Sequence, residues 1–391
     1  MSVAKSALLI VDDNEDNRYT LTRRLQREGY EDLTTAADGQ QALELLGARP
    51  FELVLLDVMM PGLNGYEVLG RMHADNRLRH IPVIMISAID EIDSVIRCIE
   101  LGAEDYLAKP FNPTLLRARV GASLEKKRLR DELMRHTRRM EQELETAREI
   151  QLSMVPTDFP LPSAEYPLAA YGTLQSAREI GGDLYDCFWI AAGKLCLVVA
   201  DVSDKGASAA LFMARAKTVV RLLAALVRQS LGRIPAPAEL VARVNEELCQ
   251  DNPHAMFVTL FLSIVDARSG EFEWCNAGHT LPYVIGPEGI VRVLADGHGI
   301  PVGIKATITF ESGKAKLAPG ASLFVYTDGI TEATNEQGEF FGEERLEAAL
   351  RSLAGHAPED LVSAVLQRVR TFAGSAAPSD DIAALACRWR A

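Results

Sequence analysis

The stretch from Asn112 to Met154 constrains this chain most. It holds one proline, Pro113, and one glycine, Gly121. Asn112 is a suitable helix cap, and proline is tolerated at a first helical position. The next proline, Pro156, supplies a stop, because the residue before a proline is pushed out of helical geometry. Read as one helix, the stretch is roughly 60 Å long at about 1.5 Å per residue. Its middle is dense in Arg, Lys and Glu, a composition typical of connectors and coiled coils. The chain is therefore organised as something before this helix and something after it. With 391 residues in all, two or three domains are expected.

Composition excludes several classes. Hydrophobic residues make up 48% and charged residues 24%, enough to bury sizeable cores. The formal charge of −13 argues against a general nucleic-acid binder, which would show a basic face. The acidity serves solubility or, where carboxylates cluster, metal binding. The six cysteines, Cys98, Cys187, Cys196, Cys249, Cys275 and Cys387, are scattered, with no C-x-x-C and no zinc-like spacing. Ser2 to Ile10 is too short an apolar stretch for a signal peptide, and Asp12-Asp13 follow at once. No run approaches the roughly 18 apolar residues of a membrane helix. A reduced, cytoplasmic protein is expected.

Before the long helix, apolar runs alternate with amphipathic segments. Ala7 to Val11, Leu53 to Leu56, Val83 to Ile86 and Tyr106-Leu107 read as strands. Asn17 to Arg27, Gln40 to Leu46 and Ile92 to Leu101 read as helices. Such alternation predicts a doubly wound parallel sheet, with function at the carboxyl ends of the strands. Asp12-Asp13, Asp57, Ser87 and Lys109 stand at those ends. Converging carboxylates repel unless a hard cation joins them, and Mg²⁺ with oxygen ligands is the natural choice. A lysine and a hydroxyl beside them suit a phosphoryl group.

After Pro156 the pattern changes. Leu195 to Val202, Phe257 to Val265, Phe272 to Asn276, Leu323 to Tyr326 and Ile382 to Cys387 read as strands. Ala207 to Gln229, Pro237 to Gln250, Glu343 to Leu353 and Pro358 to Phe372 read as helices. Strands in succession with inserted helix pairs predict an α+β sandwich of antiparallel sheets flanked by helices. Asp183 follows Gly181-Gly182, Asp201 and Asp328 close strands, and Asp380-Asp381 open the last one. Any one of them alone is an ordinary turn aspartate. Together, with no Cys/His set beside them, they suit an oxygen-only site for Mg²⁺ or Mn²⁺ and in-line phosphate hydrolysis. Spacing alone does not bring them together.

Two family resemblances follow from quoted motifs. VDDN (11–14), LLDVMMPGLNG (55–65), Ser87 and DYLAKPF (105–111) resemble the response-regulator receiver domain, a flavodoxin-like α/β fold. The resemblance implies that Asp57 takes a phosphoryl group from a histidine kinase. Asp12, Asp13, Asp57 and the carbonyl of Met59 would hold Mg²⁺. Lys109 would neutralise the acyl phosphate, Ser87 would bond a phosphoryl oxygen, and Tyr106 would be the aromatic that changes rotamer.

EIGGDLYD (179–186), VADVSDKG (199–206), FVTLFLSIVD (257–266), WCNAGHTLP (274–282), VYTDGITEA (325–333) and SDDIA (379–383) resemble the PPM-type serine/threonine phosphatases of the sporulation and stress-response branch. This resemblance implies two Mn²⁺ or Mg²⁺ ions. Asp201 would bridge them, with the Val202 carbonyl on one, Asp328 and Asp380 on the other, and Asp183 in contact directly or through water. Asp381 stays open as an alternative to Asp380. The nucleophile would be a water held by the metals. The implied substrate is a phosphoserine or phosphothreonine protein, typically an anti-sigma-factor antagonist. Two positions depart from the family pattern: Ala383 replaces a common hydroxyl residue, and Asp204 stands where glycine is frequent. Whether Asp204 binds a further ion is left open. His279 is either a general acid or, the favoured reading, a histidine fixed in the NAGH turn. Arg178 either holds the substrate phosphate or lies on the surface.

The expected organisation is a receiver over 1–121, a helical or coiled-coil linker over 122–155 and a phosphatase over 156–391. The expected output is phosphatase activity under the control of Asp57. The rival is a phosphorylation-dependent protein-binding adaptor with an inactive phosphatase-like domain. Loss of Asp201, Asp328 or the Asp380-Asp381 pair would favour the rival, and all four are present. A DNA-binding output lacks a basic recognition helix, and neither a nucleic acid nor a membrane is expected as a partner. In the linker, Leu133, Met140, Ala147 and Met154 fall seven apart, one seam of a heptad repeat, while His136 and Glu143 interrupt the other. A weak parallel homodimer is favoured over a solvated single helix, with Gly121 as the place to bend.

Overall fold

The computed structural model describes residues 6–88, 92–177 and 180–390. Contacts divide the chain into two compact units, Met1–Met140 and Glu141–Ala391. No helix among the described residues is long and apolar enough to cross a membrane.

The first unit runs β1 (Leu8–Val11), α1 (Glu15–Arg27), β2 (Leu33–Ala36), α2 (Gly39–Ala48), β3 (Leu53–Asp57), α3 (Gly65–Ala74), β4 (Val83–Ser87), α4 (Ile92–Glu100) and β5 (Asp105–Ala108). The five strands form one sheet in the order β2-β1-β3-β4-β5, all parallel. Both faces of the sheet are covered. Leu9, Val11, Val54 and Leu56 enter one core, and Leu8, Ile10, Leu53 and Leu55 enter the other. That two-sided burial is why β1 and β3 read as continuous apolar runs. Two elements were not visible in that pattern. The strand β2 lies at the edge of the sheet, and its Thr34 and Thr35 break any apolar run. The helix α3 opens on a capping box in which Asn64 and Glu67 exchange side-chain and backbone bonds of 3.0 Å.

The long helix is α5 (Pro113–Met154). Asn112 Oδ1 accepts from the amides of Thr114 (2.9 Å) and Leu115 (3.2 Å), the capping role its sequence position suggests. The helix continues unbroken through Gly121. Leu116 and Val120 are buried in the core of the first unit, whereas Leu129, Leu133 and Met140 are exposed.

The second unit contains β6 (Leu168–Gln175), β7 (Leu184–Ala191), β8 (Lys194–Val202), α6 (Ala207–Leu231), α7 (Pro237–Cys249), β9 (Val258–Asp266), β10 (Glu271–Ala277), β11 (Tyr283–Ile285), β12 (Val291–Val293), β13 (His298–Gly299), β14 (Gly313–Lys316), β15 (Ser322–Tyr326), α8 (Gly342–Ser352), α9 (Pro358–Ala373) and β16 (Ile382–Trp389). One sheet has the order β13-β10-β9-β8-β7, with β14 also on β10; the other has the order β12-β11-β15-β16-β6. Pairing is antiparallel except between β10 and β13. The period of two sorts the side chains. Leu323, Val325, Leu385 and Cys387 enter the core between the sheets, while Phe324, Tyr326, Ala384 and Ala386 pack under α8 and α9. The helices α6 and α7 cover the other sheet. This is the flanked antiparallel sandwich expected, and the long helix joins it to the parallel sheet.

Candidate functional site

In the first unit, parallel strands deliver the acidic residues to one edge. Asp12 follows β1 and Asp57 ends β3. Asp12, Asp13 and Asp57 each offer an oxygen within 4.8 Å of the others, and Asp12 and Asp57 are buried while Asp13 is exposed. Lys109 Nζ lies 2.8 Å from Asp12 and 3.0 Å from Asp57. Asn14 and Asn17 donate to Asp12 Oδ1 at 3.0 and 3.1 Å, which fixes that carboxylate. Burial above all, with the charges of Asp12 and Asp13, pushes the Asp57 carboxyl up to about 6 against the pull of Lys109. Burial alone would lower the Lys109 ammonium, but its bonds to Asp12 and Asp57 raise it on balance. A carboxylate that resists ionisation beside two others is the donor set a hard cation fits. Ser87 is buried at the end of β4 and Tyr106 is half-buried on β5. The Met59 side chain is exposed, and only its main chain was expected to contribute.

In the second unit, both sheets send carboxylates to one place. Asp201 stands on β8, Asp183 precedes β7, Asp328 follows β15, and Asp380-Asp381 precede β16. Burial raises the Asp183 carboxyl well above its usual range, and the charges of Asp201, Asp381 and Asp328 add to this. Asp201 is pushed up to about 7 by burial and then by Asp328, with Asp380 and Asp381 adding to the push and a hydrogen bond from Asp183 opposing it. Asp328 is raised by burial, Glu332 and Asp380. Five carboxylates therefore act on one another electrostatically, and the site lacks positive charge to match. Divalent cations with oxygen ligands meet that need. Among the described residues, the receiver triad is the one set of three that closes to 4.8 Å; the second set is wider.

The adjacent pair separates into two environments. Asp381 accepts from the amides of Ala177 and Gly182, both at 2.8 Å, so its carboxylate holds the main chain of the Asp183 loop. A side chain at Gly181 would strike that carboxylate, and one at Gly329 would strike the Asp381 carbonyl. Asp380 is instead bonded by Lys205 Nζ at 2.8 Å. The Val202 carbonyl faces Gly182, 3.1 Å from where a β-carbon would stand. His279 is buried, its Nδ1 2.9 Å from Thr259 Oγ1, and burial pushes its imidazole down to about 3. Burial there favours the neutral imidazole. Arg178 lies outside the described residues.

Three contributors have no signature in the sequence. Thr327 Oγ1 donates to Asp183 Oδ2 at 2.6 Å and accepts from the Ala383 amide at 2.8 Å, joining β15, β16 and the Asp183 loop. Lys205 also donates to the Ser379 carbonyl at 3.1 Å. Gln151, buried near the end of α5, donates to the Gly181 carbonyl at 2.6 Å and accepts from the Gly181 amide at 3.2 Å. That amide clamp ties the long helix to the loop that carries Asp183.

Fold and acidic sites together define a receiver domain fused to a PP2C-type phosphatase domain. The chain belongs to the Stage II sporulation protein E (SpoIIE) family, whose model matches residues 191–390, and residues 8–121 match the response regulator receiver domain. Protein IcfG of Synechocystis sp. is 30% identical over 230 residues, covering 52% of this chain and 35% of that protein. The chain spans half or less of the length of the curated relatives it matches. The SiaA-PP2C domain of Pseudomonas aeruginosa superposes with a TM-score of 0.56 at 21% identity, over 65% of this chain and 98% of that one. The PP2C phosphatase domain and regulatory fragment of SpoIIE from Bacillus subtilis give 0.50 at 18%, over 58% and 64%. Both are likenesses of fold.

Proposed function

We propose that the chain is a response regulator in which phosphorylation of Asp57 by a histidine kinase controls metal-dependent hydrolysis of a phosphoserine or phosphothreonine protein, with an anti-sigma-factor antagonist as the substrate class. The observation that carries this reading is the gathering of Asp183, Asp201, Asp328 and Asp380 from both sheets, where burial and neighbouring charges raise the carboxyls of Asp183, Asp201 and Asp328. Asp201, the Val202 carbonyl, Asp328, Asp380 and Asp183 are the residues that would hold two divalent ions. Such ions would supply positive charge for the phosphate and lower the pKa of an attacking water. Thr327 orients Asp183, and Asp381 shapes its loop. In the receiver, Mg²⁺ is assigned to Asp12, Asp13, Asp57 and the Met59 carbonyl. Lys109, Ser87 and Tyr106 are assigned to sensing the phosphoryl group.

Two observations support α5 as the transmitting element. Its early turns belong to the receiver core, and Gln151 grips Gly181, two residues before Asp183. The test is phosphate release from p-nitrophenyl phosphate and a phosphorylated antagonist in the presence of Mn²⁺. Activity is expected in the wild type. Asp201→Ala should lower it at least about 10²-fold while leaving Asp57 open to phosphorylation. Activity that survives Asp201→Ala would sink the metal-site assignment.

A further inference from the structure

Asp204 occupies the turn between β8 and α6, three residues beyond Asp201. Its φ is +81°, in the left-handed region. Aspartate tolerates that region better than most residues, because its short side chain can bond locally. Here Oδ1 accepts from the Lys205 amide at 2.8 Å and Oδ2 accepts from Ser208 Oγ at 3.0 Å. Those two bonds hold the exposed carboxyl below its usual range. The other left-handed residues besides glycine, among those described, are Asp251 (φ +48°) and Ala255 (φ +51°), both on the segment after α7.

Between these two loops lies a cleft of about 440 Å³, lined by Ser203, Asp204, Ser208, His254, Ala255 and Met256. Its walls are fixed. Ser203 exchanges bonds of 2.9 Å with Phe257, and Asn252 bonds both the amide (3.0 Å) and the carbonyl (2.7 Å) of Met256. The ammonium of the adjacent Lys205 is engaged by Asp380 and the Ser379 carbonyl. Asp204 is the single carboxylate in the lining, beside two hydroxyls, an imidazole and the thioether of Met256. A carboxylate in a mostly polar cleft, with Ala255 and Met256 to pack a stem, suits a long cationic side chain whose head pairs with the charge.

We propose that this cleft is a substrate subsite for an arginine or lysine close in sequence to the phosphorylated residue, and that Asp204 selects it. The proposal rests on the neighbouring carboxylates being the hydrolytic centre.

Asp204→Asn keeps the side chain's size and removes its charge. Asp204→Gly suits the left-handed backbone without strain. The full chain with Mn²⁺ is given matched phosphothreonine peptides with arginine or alanine beside the phosphothreonine. Wild type should prefer the arginine peptide, and both variants should lower the arginine-to-alanine ratio of kcat/KM about fivefold, through KM. The preference should weaken with added salt. An unchanged ratio in both variants overturns the proposal. If wild type fails to hydrolyse even p-nitrophenyl phosphate, the hydrolytic reading is what has failed. Fluorescence anisotropy with non-hydrolysable phosphonate peptides then decides the subsite by itself. Tighter binding of the arginine peptide, lost in Asp204→Asn, supports it; equal binding of the two peptides overturns it.

Discussion

At the residue scale, aspartates that look alike in the sequence separate by environment. Asp12, Asp57, Asp201 and Asp328 were legible because each follows or closes an apolar run, and strand ends are where such folds place chemistry. That the adjacent Asp380 and Asp381 take different partners was not legible, because Ala177, Gly182 and Lys205 are far away in sequence. His279 shows the same dependence on context. Its imidazole is held far below the usual 6.5 by burial. The unfolded chain therefore takes up the proton first, so this group's contribution to stability is present above about pH 6.5 and is lost as pH falls toward about 3. The His279 imidazole resonance should not shift between pH 8 and pH 5 in an NMR titration. A titration near pH 6.5 would show a solvated ring and revive the general-acid role.

At the element scale, most inner strands and the long helices could be read from apolar periodicity, while several edge strands could not. The strands β2, β12 and β13 carry few buried apolar residues. The strand β6 follows a proline-rich entry, and its glycine and polar residues break any alternation. The extent of α5 was legible from its cap and its bounding proline, but the Gln151 clamp was not, since a glutamine in a charged helix reads as solvated. Gln151→Met keeps the volume and leaves the amide and carbonyl of Gly181 without their partner. That should destabilise the second unit by about 1–3 kcal/mol. Trp189, Trp274 and Trp389 all lie in that unit, so denaturation followed by tryptophan fluorescence reads the loss. No change in midpoint would mean the clamp carries no energy. Leu133 and Met140, seven apart on α5, are 68% and 63% exposed in the single chain, as a seam awaiting a partner helix would be. In Met140→Cys, disulfide crosslinking between two copies should occur and should differ with and without phosphorylation of Asp57. The same pattern in both states would count against the helix as a switch.

At the scale of the whole molecule, one helix connects an aspartate suited to gain a phosphoryl group with carboxylates suited to remove one. The two chemistries share a physical logic. In each, strands carry carboxylates to an edge where burial and neighbouring charge raise a buried aspartate, Asp57 in one and Asp201 in the other. The helix α5 is the covalent connection between the two units, and the proposed control is read through it. The most direct measurement is the rate of phosphate release by the full chain with Mn²⁺ and Mg²⁺, before and after beryllium fluoride is added to mimic the acyl phosphate on Asp57. The rate should change by about fivefold or more, and Asp57→Asn should abolish the change while keeping the activity. Equal rates in the two states of an active wild-type protein would contradict the account.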